Sequence, residues 1–210
     1  MANIFDLFKQ ISAKDETSST PIEYIVVGLG NPEKKYENTR HNAGFIGIDY
    51  VAEKCGVKID RAKFSALVRE TIIEGKRVLL MKPQTYMNLS GKAVSEAAKF
   101  YKIPIEKIIV ISDDVSLDVA RLRVRRNGSH GGQRGLLSIE EHMGSREYPR
   151  IKIGVGQKPH ADYDLADWVL SSFTTDDLKK INANLPYVYD GLRRIIASDI
   201  DGAMQICNGK

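Results

Sequence analysis

Three short apolar runs read as strands: Tyr24-Ile25-Val26-Val27, Val78-Leu79-Leu80-Met81 and Ile108-Ile109-Val110-Ile111. Short apolar runs rich in β-branched residues read as strands inside a sheet. Segments with helical spacing lie between them. Asn38-Thr39-Arg40 offers capping residues, after which Phe45, Ile46, Tyr50 and Val51 recur at helical intervals. Gly91 to Tyr101 places Ala93, Val94, Ala97 and Ala98 on one helix face. Ala66 to Ile73 and Val78 to Met81 read as strands joined by a Glu74-Gly75-Lys76 hairpin turn. Val119 to Val124 alternates apolar and basic residues and reads as a half-exposed strand, Ile151 to Val155 as another. Leu136 to His142, Asp164 to Leu170 and Thr175 to Ser198 read as helices. Strands alternating with helices predict an α/β fold, a single domain with a twisted mixed β-sheet flanked by helices. Residues 22–210 form that domain. Residues 1–21 read as an extension and linker, with Ile4, Phe5, Phe8 and Ile11 able to share one helical face before a polar stretch and Pro21.

Composition narrows the class. The chain has 210 residues, 42% hydrophobic and 28% charged, which excludes disordered, collagenous and fibrous proteins. A net charge of +4 is too small for a polycationic binder, so any nucleic-acid contact must come from local clustering. Cys55 and Cys207 form no disulfide framework, which points to a reducing compartment. His41, His130, His142 and His160 do not pair with cysteines at zinc spacing. No apolar stretch approaches the roughly 20 residues a membrane span needs. Met1 to Leu7 lacks the features of a secretory signal, so a cytoplasmic protein is expected, with no membrane and no metal.

Several segments carry chemistry. Gly28-Leu29-Gly30-Asn31-Pro32 matches the first two glycines of a dinucleotide fingerprint, but Glu33 replaces the third and no helix follows at once. A nucleotide cofactor is therefore not favoured. Asn31 instead offers an amide at the carboxyl end of a strand, the edge where open α/β sheets bind ligands. His41 stands where a helix begins. It is either a capping histidine or a base kept neutral by the positive end of the helix dipole. Asp113-Asp114, ending the third apolar run, suits a metal site or an orienting partner for a histidine. With no carboxylate cluster elsewhere, the orienting role is preferred. Asn88 either caps the following helix or presents its amide to a substrate carbonyl. Tyr86 and Met87 either line a peptide pocket or belong to the core. Arg121, Arg123 and Arg125 would share one strand face, and residues 128–135 follow with four glycines in eight positions. That cluster is an anion footprint with phosphate as its natural partner.

In their order and spacing these segments resemble bacterial peptidyl-tRNA hydrolase. The resemblance rests on Val27-Gly28-Leu29-Gly30-Asn31-Pro32, Thr39-Arg40-His41-Asn42-Ala43-Gly44, Tyr86-Met87-Asn88-Leu89-Ser90-Gly91, the strand ending in Asp113, and Gly131-Gly132 with Gly135-Leu136. It continues through Ile153-Gly154-Val155-Gly156 and Trp168-Val169-Leu170-Ser171-Ser172-Phe173, covering about residues 23 to 205. It implies a monomeric enzyme without a cofactor that cleaves the ester between peptide and the 3′-terminal ribose of tRNA, with the tRNA acceptor end as partner. It also implies His41 as catalytic base, Asp113 as its partner, and Asn31 and Asn88 as amides at the reacting group. Tyr36 and Met87 would line the cleft. Arg125 and Lys152 would sit near tRNA phosphate, joined by Arg123 of the same basic strand.

Two departures from the family pattern stand out. Gln133-Arg134 replaces the usual His-Asn, and Arg134 brings a fixed charge expected to contact the acceptor end. Ser112 and Ser116 replace a histidine and an aspartate around Asp113-Asp114. The alternative is a non-catalytic RNA-binding relative. The joint presence of Asn31, His41, Asn88 and Asp113 argues against it, because a binder has no chemical need for that set.

Overall fold

The computed structural model describes residues 20–210, so the apolar face predicted at Ile4–Ile11 and most of the linker lie outside the described residues. The strands are β1 (Tyr24–Gly28), β2 (Arg61–Lys63), β3 (Ala66–Ile73), β4 (Lys76–Pro83), β5 (Ile108–Asp114), β6 (Leu122–Arg125) and β7 (Arg150–Gly154). They form one sheet in the order β2-β3-β4-β1-β5-β7-β6. Pairs β4/β1, β1/β5 and β5/β7 are parallel; β2/β3, β3/β4 and β6/β7 are antiparallel. The sheet is mixed, as the sequence predicts. The apolar runs occupy its middle because those strands are covered on both faces.

The helices are α1 (Ala43–Lys54), α2 (Ser90–Tyr101), α3 (Arg134–Met143), α4 (Leu165–Leu170), α5 (Thr175–Ile196) and α6 (Ile200–Cys207). Alternating side chains of the central strands feed two cores. Val26, Leu80, Ile109 and Ile111 pack with Ile48, Val51, Val188, Leu192 and Ala203 of α1, α5 and α6. Ile25, Val27, Leu79, Met81 and Val110 pack with Ala93, Val94, Ala97, Leu136 and Ile139 of α2 and α3. The result is a helix–sheet–helix sandwich. Ile22, just before β1, is already buried. Among the described residues no helix is long and apolar enough to cross a membrane, and both cysteines are free thiols.

Three expectations need correcting. The basic strand begins at Leu122, not Val119, because Arg121 N–H closes a turn onto Asp118 O and Ala120 has a φ of 70°. Arg121 therefore stands outside the row that Arg123 and Arg125 share. Asn88 does not cap α2; the position before that helix is Leu89, with no side-chain cap. Nor do Asn38–Arg40 cap α1. Thr39 Oγ1 turns back to Tyr36 O, and Asn42, the residue before α1, uses its side chain elsewhere. The short edge strand β2 and the terminal helix α6 have no counterpart in the sequence reading.

One close approach sets where α1 begins. A Cβ built on Gly44 would lie 2.4 Å from Ile111 O and 2.5 Å from both Leu29 N and Leu29 O. Only a residue without a side chain lets the helix start rest on the backbone of β5 and of the loop after β1. Phe45 N–H, one of the helix's unpartnered donors, is satisfied by Leu29 O at 3.1 Å. We expect Gly44→Ala to destabilise the protein by about 1–3 kcal/mol, the usual range for overpacking a tight contact. Urea denaturation checks this, and a loss below about 0.5 kcal/mol, within the range of ordinary surface substitutions, would refute it.

Candidate active site

The carboxyl ends of β4, β1, β5 and β7 point the same way because these strands are parallel. The loops that leave them surround a cleft of about 640 Å³. Asn31 follows β1, Met87 and Asn88 follow β4, Asp113 and Asp114 end β5, and Lys152 lies on β7. His41 sits in a single 3-10 turn, Arg40–Asn42, directly ahead of α1. Tyr36, Tyr86, His130, Gln133, Arg134 and Asp164 add to the polar lining, and Leu165, Ala166, Val169 and Leu170 of α4 form an apolar wall.

At the base of the cleft His41 Nδ1 lies 2.9 Å from Asp113 Oδ2, and both groups are buried. Gln133 Nε2 donates to the other carboxylate oxygen at 3.0 Å. Its Oε1 accepts from Leu136 N–H at 2.8 Å and so caps α3. The orientation of this amide is determined on both sides, since a carboxylate needs a donor and a backbone N–H needs an acceptor. With Nδ1–H engaged by Asp113, the imidazole keeps Nε2 as its proton acceptor.

Burial opposes charging His41, but the charge and hydrogen bond of Asp113 outweigh it, and the pKa rises above the ordinary 6.5. This reverses the expectation of a histidine held neutral by the helix dipole: a carboxylate in direct contact acts more strongly than the partial charge of a helix end. Arg134 works against Asp113, lowering the His41 pKa through its positive charge. Charging His41 therefore contributes stability in full below about pH 6.5, and that contribution fades as the pH rises through the raised value.

Asn31 is positioned by a residue to which the sequence reading assigned no role. Asn42 Oδ1 accepts from Asn31 N at 2.8 Å, and Asn42 Nδ2 donates to Asn31 O at 3.0 Å. Asn31 Oδ1 in turn accepts from Met87 N–H at 3.0 Å. With Oδ1 used in this way, the Nδ2 donor is left for a ligand in the cleft. Met87 is buried, and its sulfur lies 3.2 Å from Gln133 Nε2. Asn88 is exposed at the rim. Tyr86 Oη donates to Glu33 Oε1 at 2.7 Å, joining the rims after β4 and β1.

The structure thus brings together His41, Asp113, Asn31, Tyr36, Met87, Asn88, Arg134 and Lys152. It does not bring Arg123 and Arg125 into the cleft. They lie on the edge strand β6, where Arg123 pairs across from Lys152 and Arg125 from Arg150. Lys152 is not a bare cation, because it is paired with Asp114 at 2.9 Å. Burial would raise the Asp114 pKa, but bonds from Ser116 and Lys152 lower it overall. Asp113 and Asp114 therefore serve different partners. Among the described residues no group of three or more His, Cys, Asp or Glu side chains is placed to hold a metal ion. Gln133 and Asn42 were both visible in the sequence. Their signal was an amide ahead of a helix start, which locates a side chain near a terminus without revealing its distant partner.

The peptidyl-tRNA hydrolase family model matches residues 25–210. A peptidyl-tRNA hydrolase of Caldicellulosiruptor bescii is 46% identical over 188 residues, covering 90% of this chain and 98% of that protein. One from Agathobacter rectalis is 47% identical over 186 residues, covering 88% of this chain and all of that protein. The crystal structure of peptidyl-tRNA hydrolase from Acinetobacter baumannii superposes with a TM-score of 0.84 at 30% identity, covering 90% of this chain and 97% of that one.

The opposed effects of Asp113 and Arg134 on one imidazole make a measurable expectation. The pH profile of kcat/KM should rise through a midpoint above 6.5. Arg134→Asn removes a charge that disfavours the imidazolium, so its midpoint should move to higher pH. An unchanged or lowered midpoint in that variant would show that Arg134 does not act on His41.

Proposed function

The chain belongs to the peptidyl-tRNA hydrolase family and hydrolyses peptidyl-tRNA, and from that membership we propose how the cleft does so. A water beside His41 Nε2 loses its proton to the imidazole as its oxygen attacks the ester carbonyl. Asp113 holds the Nδ1–H tautomer and balances the imidazolium that forms. Negative charge gathers on the carbonyl oxygen, and the Asn88 amide is the donor free to meet it. Asn31 Nδ2 binds the peptide beside the reacting carbon. The tetrahedral intermediate collapses by breaking the bond to the ribose oxygen, which takes the proton back from His41. Free tRNA and a peptide acid leave. A ribose diol is a fair leaving group, so a general base and well-placed donors are sufficient and no cofactor enters the scheme.

The observation that carries this reading is the His41–Asp113 contact, with Gln133 on the second carboxylate oxygen. An arrangement that leaves a single ring nitrogen facing solvent in a cleft suits proton transfer better than passive binding. The peptide lies between Met87 and Tyr36 on one side and the α4 wall on the other. The tRNA backbone runs toward Lys152, Arg123 and Arg125, with Arg134 at the acceptor end. Arg123, Arg125 and Arg134 form no ion pair among the described residues, so their charges remain available to phosphate. We infer a monomer that works in the cytoplasm, a reading that the free thiols and the translation-linked substrate support.

Release of N-acetyl-amino acid from N-acetyl-aminoacyl-tRNA tests the chemistry. His41→Ala should lower kcat by about 10²–10⁴-fold, the usual contribution of a general base. Retained turnover would remove His41 from that role, and tRNA binding without turnover by wild type would favour the RNA-binding alternative. The phosphate path has its own readout. Arg125→Ala should reduce the slope of log affinity against log salt by about 0.7–0.9, the release expected for one lost contact. An unchanged slope would place Arg125 outside the interface.

A further inference from the structure

Arg40 is among the most buried charges described here, with a side chain only 6% exposed, and the hydrolytic scheme gives it no task. Its guanidinium carbon lies 3.7 Å from the centre of the Trp168 ring and 5.3 Å from that of Phe173. Nη1 donates to Ser171 Oγ at 2.9 Å and to Ser172 O at 2.6 Å, and Nη2 reaches Asp177 Oδ2 at 3.4 Å. The backbone repeats the connection: Arg40 N–H donates to Ser171 O at 3.1 Å, and Phe173 N–H to Asn38 O at 2.9 Å.

These contacts join two parts of the cleft. Arg40 immediately precedes His41, and Trp168 stands in the middle of α4. That helix has six residues, too few to hold its own conformation, so its position depends on outside anchors. Trp168 Nε1 bonds to Gly156 O at 2.9 Å on one side, and Arg40 stacks on the ring. α4 also lines the cleft, with Leu165 and Leu170 left 44% and 38% exposed. Apolar side chains left half bare in a helix so tightly anchored form a surface for a ligand.

We propose that Arg40 is a positioning residue that binds the apolar α4 wall to the turn carrying His41, so that the wall meets the substrate's first peptide side chain at a fixed distance from the imidazole. The proposal rests on the hydrolase reading of the cleft. A planar, forked, stacking cation is required, because Lys offers neither the stack nor two donors in one plane.

Arg40→Lys is the test, with folding checked by circular dichroism. Trp168 is the sole tryptophan, so its emission reports the stack without any turnover. We expect a red shift and stronger acrylamide quenching. The KM for N-acetylphenylalanyl-tRNA should rise about 5–30-fold, the factor a desolvated cation–π contact is worth. The KM for N-acetylglycyl-tRNA, which does not reach the wall, should change little, with kcat retained. Equal KM changes for both substrates, a loss confined to kcat, or unaltered emission in a folded variant would each overturn the proposal. If Arg40→Lys does not fold, Trp168→Leu removes the stacked ring, together with its Nε1 bond to Gly156 O, while sparing the hydrogen bonds of Arg40. The same split between substrates is then expected, and a parallel loss on both would overturn it. Failure of wild type to turn over either substrate would instead count against the hydrolase reading.

Discussion

The geometry of the cleft depends on a contact made without side chains. Gly44 lets the start of α1 rest on the backbone at Leu29 and Ile111, and two hydrogen bonds close the junction: Leu29 N–H to Ile111 O at 2.9 Å and Phe45 N–H to Leu29 O at 3.1 Å. His41 lies just ahead of that contact and Asp113 just beyond Ile111. Their 2.9 Å separation follows from a helix and a strand docked backbone to backbone. Such a junction has no rotamers to relax, so the pair is held as rigidly as the sheet itself.

Around that junction amide side chains set every orientation. Asn42 pairs with both backbone groups of Asn31, much as a neighbouring strand would. Asn31 then accepts from Met87 N–H, and Gln133 bridges Asp113 and the start of α3. Asn42 places both ends on backbone, whereas Asn31 and Gln133 each place one end on backbone and direct the other toward the cleft or a neighbouring side chain. A buried polar network of this kind is stabilising when its members are satisfied, and it leaves few alternative arrangements. It also explains how Gln133 can stand where the family usually has histidine. What the position supplies here is a donor to the carboxylate and an acceptor for a helix N–H, and an amide provides both.

The sequence made the layers legible because their cause is local. Continuous apolar runs identified β1, β4 and β5, and the spacing of Ala93, Val94, Ala97 and Ala98 identified the buried face of α2. It misjudged what depends on distant partners. Nothing near Arg121 announces the turn that takes it out of β6. Asn42 carried no role in the sequence, because its partner is the loop after β1. The direction of the His41 pKa shift was misread for the same reason. The helix start is visible in the sequence, whereas the carboxylate that overrides it lies 72 positions away. The sequence nevertheless pointed to His41, Asp113, Asn31 and Asn88, which line one cleft, because strand ends and helix starts are local signals and parallel strands gather their ends at one edge.

In the base role proposed for His41, the charges around it answer two opposed demands. A useful base must bind its proton firmly in the transition state, which favours a raised pKa, yet it must be free of that proton when substrate arrives, which favours a lowered one. Asp113 meets the first demand by direct contact, and burial with Arg134 meets the second by opposing it. The two influences differ in reach. Asp113 acts through a hydrogen bond in a water-poor site, where screening is weak, whereas Arg134 is exposed and acts across the cleft. The bonded partner therefore decides the sign, and the exposed charge trims the size. That division allows the neighbouring loop to carry arginine in place of an amide without reversing the raised pKa of the proposed base, since an exposed charge is the weaker of the two.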